Sequence, residues 1–257
     1  MFKVTETVKH IIIINVILWI ATLLLVNRGI DLSDLLALYY PENENFGIWQ
    51  ILSHMFMHAT YSQTGSIVIF HILFNMLGLW MFGSPLEQMW GRNKFLFFYF
   101  SAGLGAAALH TFVNYLQFNG ALDDLISSGF ERERILSLLN NGSYDTRWES
   151  VIGADSVSSM VQSFIIPAVG ASGAIFGILV AFGMAFPNAE LMLIFLPIPI
   201  KAKYFIPGIL ALELFSGITG VSIFSPSNTA YFAHIGGAIV GFLIMWYWRR
   251  SQFKPNL

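Results

Sequence analysis

The chain has 257 residues, 56% hydrophobic and 11% charged, with a formal net charge of −2 and a mean hydropathy of +0.65. Soluble domains carry roughly 25% charged residues, so the composition excludes an ordinary water-soluble globule and fits a polytopic membrane protein. Zero cysteines exclude disulfides, thiol catalysis and cysteine-ligated metal, and the small net charge points to no particular partner.

Six transmembrane helices are predicted, at about 10–26, 66–83, 95–118, 164–186, 203–218 and 230–248, giving an all-α bundle read as a single domain over 1–257. The apolar run His10–Val26 is longer than the core of a secretory signal and no A-x-A site follows, so it reads as a retained first span. The polar excursion 27–65 carries His54 and His58 at i, i+4 without a nearby intervening acid. That spacing reads as interfacial anchoring and not as a zinc site. In the second span, "HILFNMLGLWMFG", His71 and Asn75 share one helix face.

A second excursion, 119–163, mixes apolar and charged residues in "DDLISSGFERERILSLLNNGSYDTRWES". It reads either as an amphipathic surface helix or as a solvated loop. The fourth span contains "VGASGAIFG", within a stretch free of charged residues from Ser156 to Ala189. "LMLIFLPIPIKAKY" then has an apolar run too short to span, broken by Pro197 and Pro199, and is expected to be a cytoplasmic loop skimming the membrane. Glu213 is the one carboxylate in a predicted span. A proton relay is one use for it, and a hydrogen bond that steadies the fifth helix is the favoured one. The uncharged loop at 219–230 could cap a cavity, and the sixth span carries His234.

Basic residues orient the bundle. With the N-terminus inside, Lys3, Lys9, Arg92, Lys94, Lys201, Lys203, Arg249, Arg250 and Lys254 are cytoplasmic, and Arg28, Arg132, Arg134 and Arg147 are outside. That asymmetry satisfies the positive-inside rule with both termini cytoplasmic.

Polar residues inside a membrane are expensive, so their depths matter. Counted from the inner ends of their spans at 1.5 Å per residue, Ser172, His234 and His71 all lie roughly 22–24 Å above the cytoplasmic boundary. Ser172 is followed by Gly173 and Gly177, and His234 by Gly237 and Gly241. Small residues four apart let helices approach closely in lipid. If those faces meet, the imidazole can act as general base to the hydroxyl; close packing around a satisfied histidine is the alternative. His71 and Asn75 could likewise hold an oxyanion or make a hydrogen bond between helices.

Taken together, "GASGAIFG", "AHIGGAIVG", "HILFNM" and "FGIWQILSHMFMHA" resemble the rhomboid family of intramembrane serine proteases. The similarity covers the six-span core and leaves out 119–163. It implies a Ser–His dyad without a catalytic aspartate, with Ser172 as nucleophile and His234 as base. It also implies an oxyanion site of His71, Asn75 and the Ser172 N–H, with Gly170 allowing the tight turn before the serine. Gly173, Phe176 and Gly237 would support the pair. A fourth helix beginning near the serine, at the floor of a wet cavity open to the non-cytoplasmic side, is implied too.

This sequence departs from the pattern in Phe176, where the family often has a tyrosine, and in a longer connection between His58 and His71. The implied partners are the lipid bilayer of an inner or plasma membrane and transmembrane protein substrates, with no metal, cofactor or nucleic acid. A pseudoprotease that binds transmembrane clients without cutting them is the main alternative, and a small transporter is another. Metalloproteases need H-E-x-x-H, and no His-Glu pair occurs. Aspartyl types need embedded aspartates, and the six at 31, 34, 123, 124, 145 and 155 all lie outside the predicted spans.

Overall fold

The computed structural model describes residues 3–62, 64–193, 196–221 and 230–252. Helix α1 (Glu6–Val26) is apolar around its circumference, leaving Ile13, Ile17 and Leu24 exposed, as a lipid-facing helix would. No side chain of its own caps it. Glu87 does so from a distance, accepting the Thr7 and Val8 N–H groups at 3.0 Å each and the Thr5 hydroxyl. A carboxylate is favoured there because the helix N-terminus carries unpaired donors and partial positive charge.

The first excursion folds back on the bundle through α2 (Leu32–Leu36), α3 (Gln50–Ser53) and a 3₁₀ turn at His54–Phe56. Next, α4 (Ile69–Gly78) passes through a π-helical turn, Leu79–Gly83, into α5 (Ser84–Trp90). The second helical stretch is thus 69–90 instead of 66–83, and it stops at Gly91, whose φ of 79° no helix continues.

Helix α6 (Arg92–Ser127) is 36 residues long and overruns its expected end at 118. Its last turns build the second excursion together with α7 (Arg132–Asn140), α8 (Glu149–Ile152) and α9 (Ala154–Ile165). This segment is neither a lone surface helix nor a loop. Phe118, Leu125, Ile135, Trp148, Met160 and Phe164 pack into a core of their own.

The expected span 164–186 is corrected: the helix occupies only Ser172–Ala185 (α10), and 166–171 is non-helical. Pro167 lacks a donor and pushes Ile166 out of the helical region, and Gly170 has a φ of 123°. The chain is mostly helical, as expected, with one two-stranded exception among the described residues. In the stretch expected to be a skimming loop, 191–204, β1 (Glu190–Leu193) pairs antiparallel with β2 (Leu196–Lys201), with Glu190 opposite Lys201 and Leu191 opposite Ile200. The pairing shifts register between Leu191 and Leu193, opposite the stretch of β2 that holds Pro197 and Pro199, as expected where prolines cannot donate to the ladder.

Helices α11 (Ala202–Thr219) and α12 (Tyr231–Gln252) follow. The expected cap at 219–230 lies mostly outside the described residues. By length and composition, Glu6–Val26, Ile69–Trp90, Arg92–Ser127 and Tyr231–Arg250 can each cross a membrane, and α10 is a shorter apolar helix. The chain is a mostly helical, multi-pass membrane protein. Its main core, including Phe95, Phe98, Ala102, Ala174 and Ile178, surrounds α10 with α6 and α12.

Candidate active site

Ser172 is the first residue of α10, so its hydroxyl and N–H lie at the positive end of the helix. The preceding segment is pinned from the first excursion. Leu38 and Ala168 exchange two backbone hydrogen bonds of 2.9 and 2.8 Å, and the Gly170 N–H donates to the His54 carbonyl at 2.9 Å. A Cβ on Gly170 would sit 3.3 Å from His71 Nε2 and 3.6 Å from Ser172 Oγ, in a left-handed backbone that disfavours any side chain. That glycine keeps open the space between imidazole and hydroxyl.

The glycine faces of α10 and α12 meet. A Cβ on Gly237 would collide with the Gly173 carbonyl, and one on Gly177 would lie 2.9 Å from the Gly237 carbonyl. This approach brings His234 Nε2 to 2.8 Å from Ser172 Oγ. Phe176, one turn beyond the serine, stacks on the His234 ring at 4.2 Å and 9°. The absent tyrosine hydroxyl therefore does not cost the stacking. An imidazole so placed can take the hydroxyl's proton.

His71 Nδ1 accepts the Ala59 N–H at 3.1 Å. That bond makes Nε2 the protonated nitrogen, and Nε2 is the one beside Gly170. Asn75 donates to the His71 carbonyl at 2.8 Å, and its own carbonyl oxygen is buried with no hydrogen-bond partner among the described residues. Behind the serine a small cavity is lined by His54, His110, Gly170 and Ser172 among others, with enough polar groups to hold water.

His54 and His58 are not interfacial anchors but interior residues, 5% and 1% exposed. The His54 Nδ1 bonds to the Gln50 carbonyl at 2.8 Å, and His58 Nε2 bonds to Asn15 Oδ1 of α1 at 2.8 Å. Burial lowers the pKa of His54; burial, and secondarily His71, pushes His58 down to about 3. Two contacts of the site are not legible in the sequence. The Ala59 N–H carries no side-chain signal at all. Glu213, expected to make a hydrogen bond that steadies the fifth helix, has its Oε2 2.7 Å from His234 Nδ1 on α12.

The chain is similar to Rhomboid protein 1, mitochondrial, of Saccharomyces cerevisiae, at 23% identity over 227 residues covering 82% of this chain and 52% of that protein. It is similar to Presenilin-associated rhomboid-like protein, mitochondrial, of Homo sapiens, at 27% over 180 residues, 70% of this chain and 34% of that one. Rhomboid protease GluP of Bacillus subtilis matches at 35% over 68 residues, 26% of this chain and 12% of that one. The chain spans about half the length or less of these curated relatives. The family model for the Rhomboid domain matches residues 45–251, the stretch that contains His71, Asn75, Ser172, Glu213 and His234, and the chain belongs to the rhomboid family.

Proposed function

We propose that the chain is an intramembrane serine endopeptidase that cuts transmembrane helices of other proteins near their outer ends. The observation that carries this reading is the 2.8 Å contact between Ser172 Oγ and His234 Nε2 at the N-terminus of a buried helix. In the proposed reaction the Ser172 oxygen attacks the scissile carbonyl as its proton passes to His234 Nε2. In this reading the Ser172 N–H, the His71 Nε2–H and the Asn75 amide are the donors to the oxyanion, the kind of group that stabilises charge as it develops. Collapse breaks the C–N bond, and the amine leaves with the proton from His234. Water entering the site then hydrolyses the acyl-enzyme by the same steps.

The reading includes six crossings, by α1, α4–α5, α6, α10, α11 and α12, with both termini cytoplasmic. Helix α10 has 14 residues, about 21 Å at 1.5 Å per residue, against a hydrocarbon core of about 30 Å. With its far end at the inner boundary, the serine lies below the outer surface, reached by water only from that side. The proposed membrane is an inner or plasma membrane; the mitochondrial names of two relatives make the mitochondrial inner membrane the equivalent site. Substrates must unwind locally to expose a carbonyl, so glycine near the cut favours cleavage.

Purified protein in detergent is expected to cleave a model transmembrane substrate, and Ser172→Ala is expected to abolish cleavage with the fold intact. Cleavage that persists in this variant removes the serine from the mechanism. A wild-type chain that binds the substrate and leaves it whole is a pseudoprotease.

A further inference from the structure

Glu213 is a carboxylate in the middle of α11, and its side chain is 11% exposed. An unpartnered carboxylate in such surroundings is costly, so what it faces is informative. It faces the back of the candidate base. Oε2 lies 2.7 Å from His234 Nδ1, on the opposite side of the ring from Ser172 Oγ at 2.8 Å. One hydrogen-bonded chain thus crosses three helices, from α11 through α12 to α10. Phe176 lies flat on the imidazole at 4.2 Å and fixes the ring plane, so the two nitrogens cannot both leave their partners by a simple tilt.

We propose that Glu213 is a positioning residue, completing a Ser172–His234–Glu213 triad where the family resemblance implies a dyad; this rests on the serine-protease reading above. An ionised carboxylate is acceptor-only, so Glu213 holds the proton on Nδ1 and leaves the Nε2 lone pair for the Ser172 O–H. When Ser172 attacks, its proton moves to Nε2 and the imidazolium forms between two oxygens. Glu213 stabilises that cation without taking a proton, and Nε2 later returns the proton to the leaving amine. The carboxylate also supplies, through the ring edge, the hold on His234 that a hydroxyl at position 176 could have given. A purely structural bond tying α11 to α12 would use the same distance but would not need charge.

Glu213→Gln separates the two, because it keeps size and hydrogen-bonding capacity and removes the charge. Amide replacement of a triad acid slows hydrolysis about 10⁴-fold in the soluble template, so in cleavage of a model transmembrane substrate kcat should fall at least about 100-fold. KM should stay within about twofold, since the group acts in the transition state. The melting temperature should hold, Glu213→Asp should recover part of the lost turnover, and labelling of Ser172 by a fluorophosphonate should slow in parallel with kcat. In the ¹⁵N-histidine-labelled wild type, a low-field Nδ1 proton should be visible and should vanish in Glu213→Gln.

A Glu213→Gln variant that cleaves and labels like wild type, while Ser172→Ala is inert, overturns the triad and leaves the protease standing. A kcat loss that tracks the melting temperature, with no recovery in Glu213→Asp, overturns it as well. Should Glu213→Gln fail to fold, Glu213→Asp and the wild-type resonance decide, and the absence of both recovery and resonance counts against the proposal. A wild-type chain that cleaves nothing and does not label overturns both readings.

Discussion

The Ala59 N–H and His71 Nδ1 are 3.1 Å apart, and that single bond decides which face of the ring donates. Trp19 Nε1 in turn donates to the Ala59 carbonyl at 3.1 Å, so α1 anchors the residue whose N–H sets the tautomer. If His71 Nε2–H and Asn75 act on an oxyanion, His71→Ala or Asn75→Ala should each lower kcat by about 10²–10³-fold while KM changes little. Steady-state kinetics on a model substrate checks this, and an effect confined to KM would make both residues structural. His58 predicts a different behaviour. Its pKa is pushed down to about 3, mainly by burial, so the folded chain holds it neutral while the unfolded chain protonates it near 6.5. Its contribution is fully present above the unfolded value and is lost as pH falls from about 6.5 towards 3. At about 1.4 kcal/mol per pH unit, acidification from pH 7 to pH 5 should cost about 2 kcal/mol from this side chain alone. His54, also lowered by burial, acts in the same direction. Thermal melts in detergent should show the decline, and His58→Gln, which can still donate to Asn15, should flatten it; an unchanged slope would clear His58 of responsibility.

Between elements, the decisive contact is the glycine seam of α10 and α12. A Cβ on Gly237 meets the Gly173 carbonyl, so even Gly237→Ala must push the helices apart, at about 1–3 kcal/mol. Because His234 is three residues away on the same helix, the expected result is a lower melting temperature together with a steep loss of turnover. Normal turnover in a folded Gly237→Ala variant would show that the seam does not set the Ser172–His234 distance. This seam was legible in the sequence, since glycines four apart and a matched depth are properties of spacing. The start of α10 was not legible from hydropathy, because 164–171 is as apolar as the helix it precedes. Pro167 and Gly170 mark the break, and the family resemblance implies a helix beginning near the serine, where α10 does begin. The hairpin at 190–201 was hidden for a related reason: two prolines read as loop until a partner strand exists. Glu213 stands out in the sequence as the one carboxylate in a predicted span, but its partner does not, because which face of α11 meets α12 is set by packing and leaves no mark in spacing.

At the scale of the whole molecule, two cores share a boundary. Tyr40, Phe118 and Phe164 form an aromatic cluster with ring centroids 4.7–5.7 Å apart, and Asn43 donates to the Phe164 carbonyl at 2.9 Å. These contacts join the module of α7–α9 to the first excursion, only a few residues before the segment that leads to Ser172. The serine itself is tethered elsewhere. Leu38–Ala168 and Gly170–His54 are backbone bonds, and neither passes through α7 or α8. Trp148, 1% exposed, fills the middle of the outer core with Phe130 and Tyr144 beside it. Trp148→Ala removes that filling and should cost about 3–5 kcal/mol, seen as a lower melting temperature in detergent. Because the tethers of the serine lie outside the module, turnover measured well below the melt should stay within about threefold of wild type, as expected for sites that do not share partners. If instead turnover collapsed while the melt stayed put, the outer module would be holding the serine in register through α9, and the two backbone tethers would be too weak to place Ser172 by themselves.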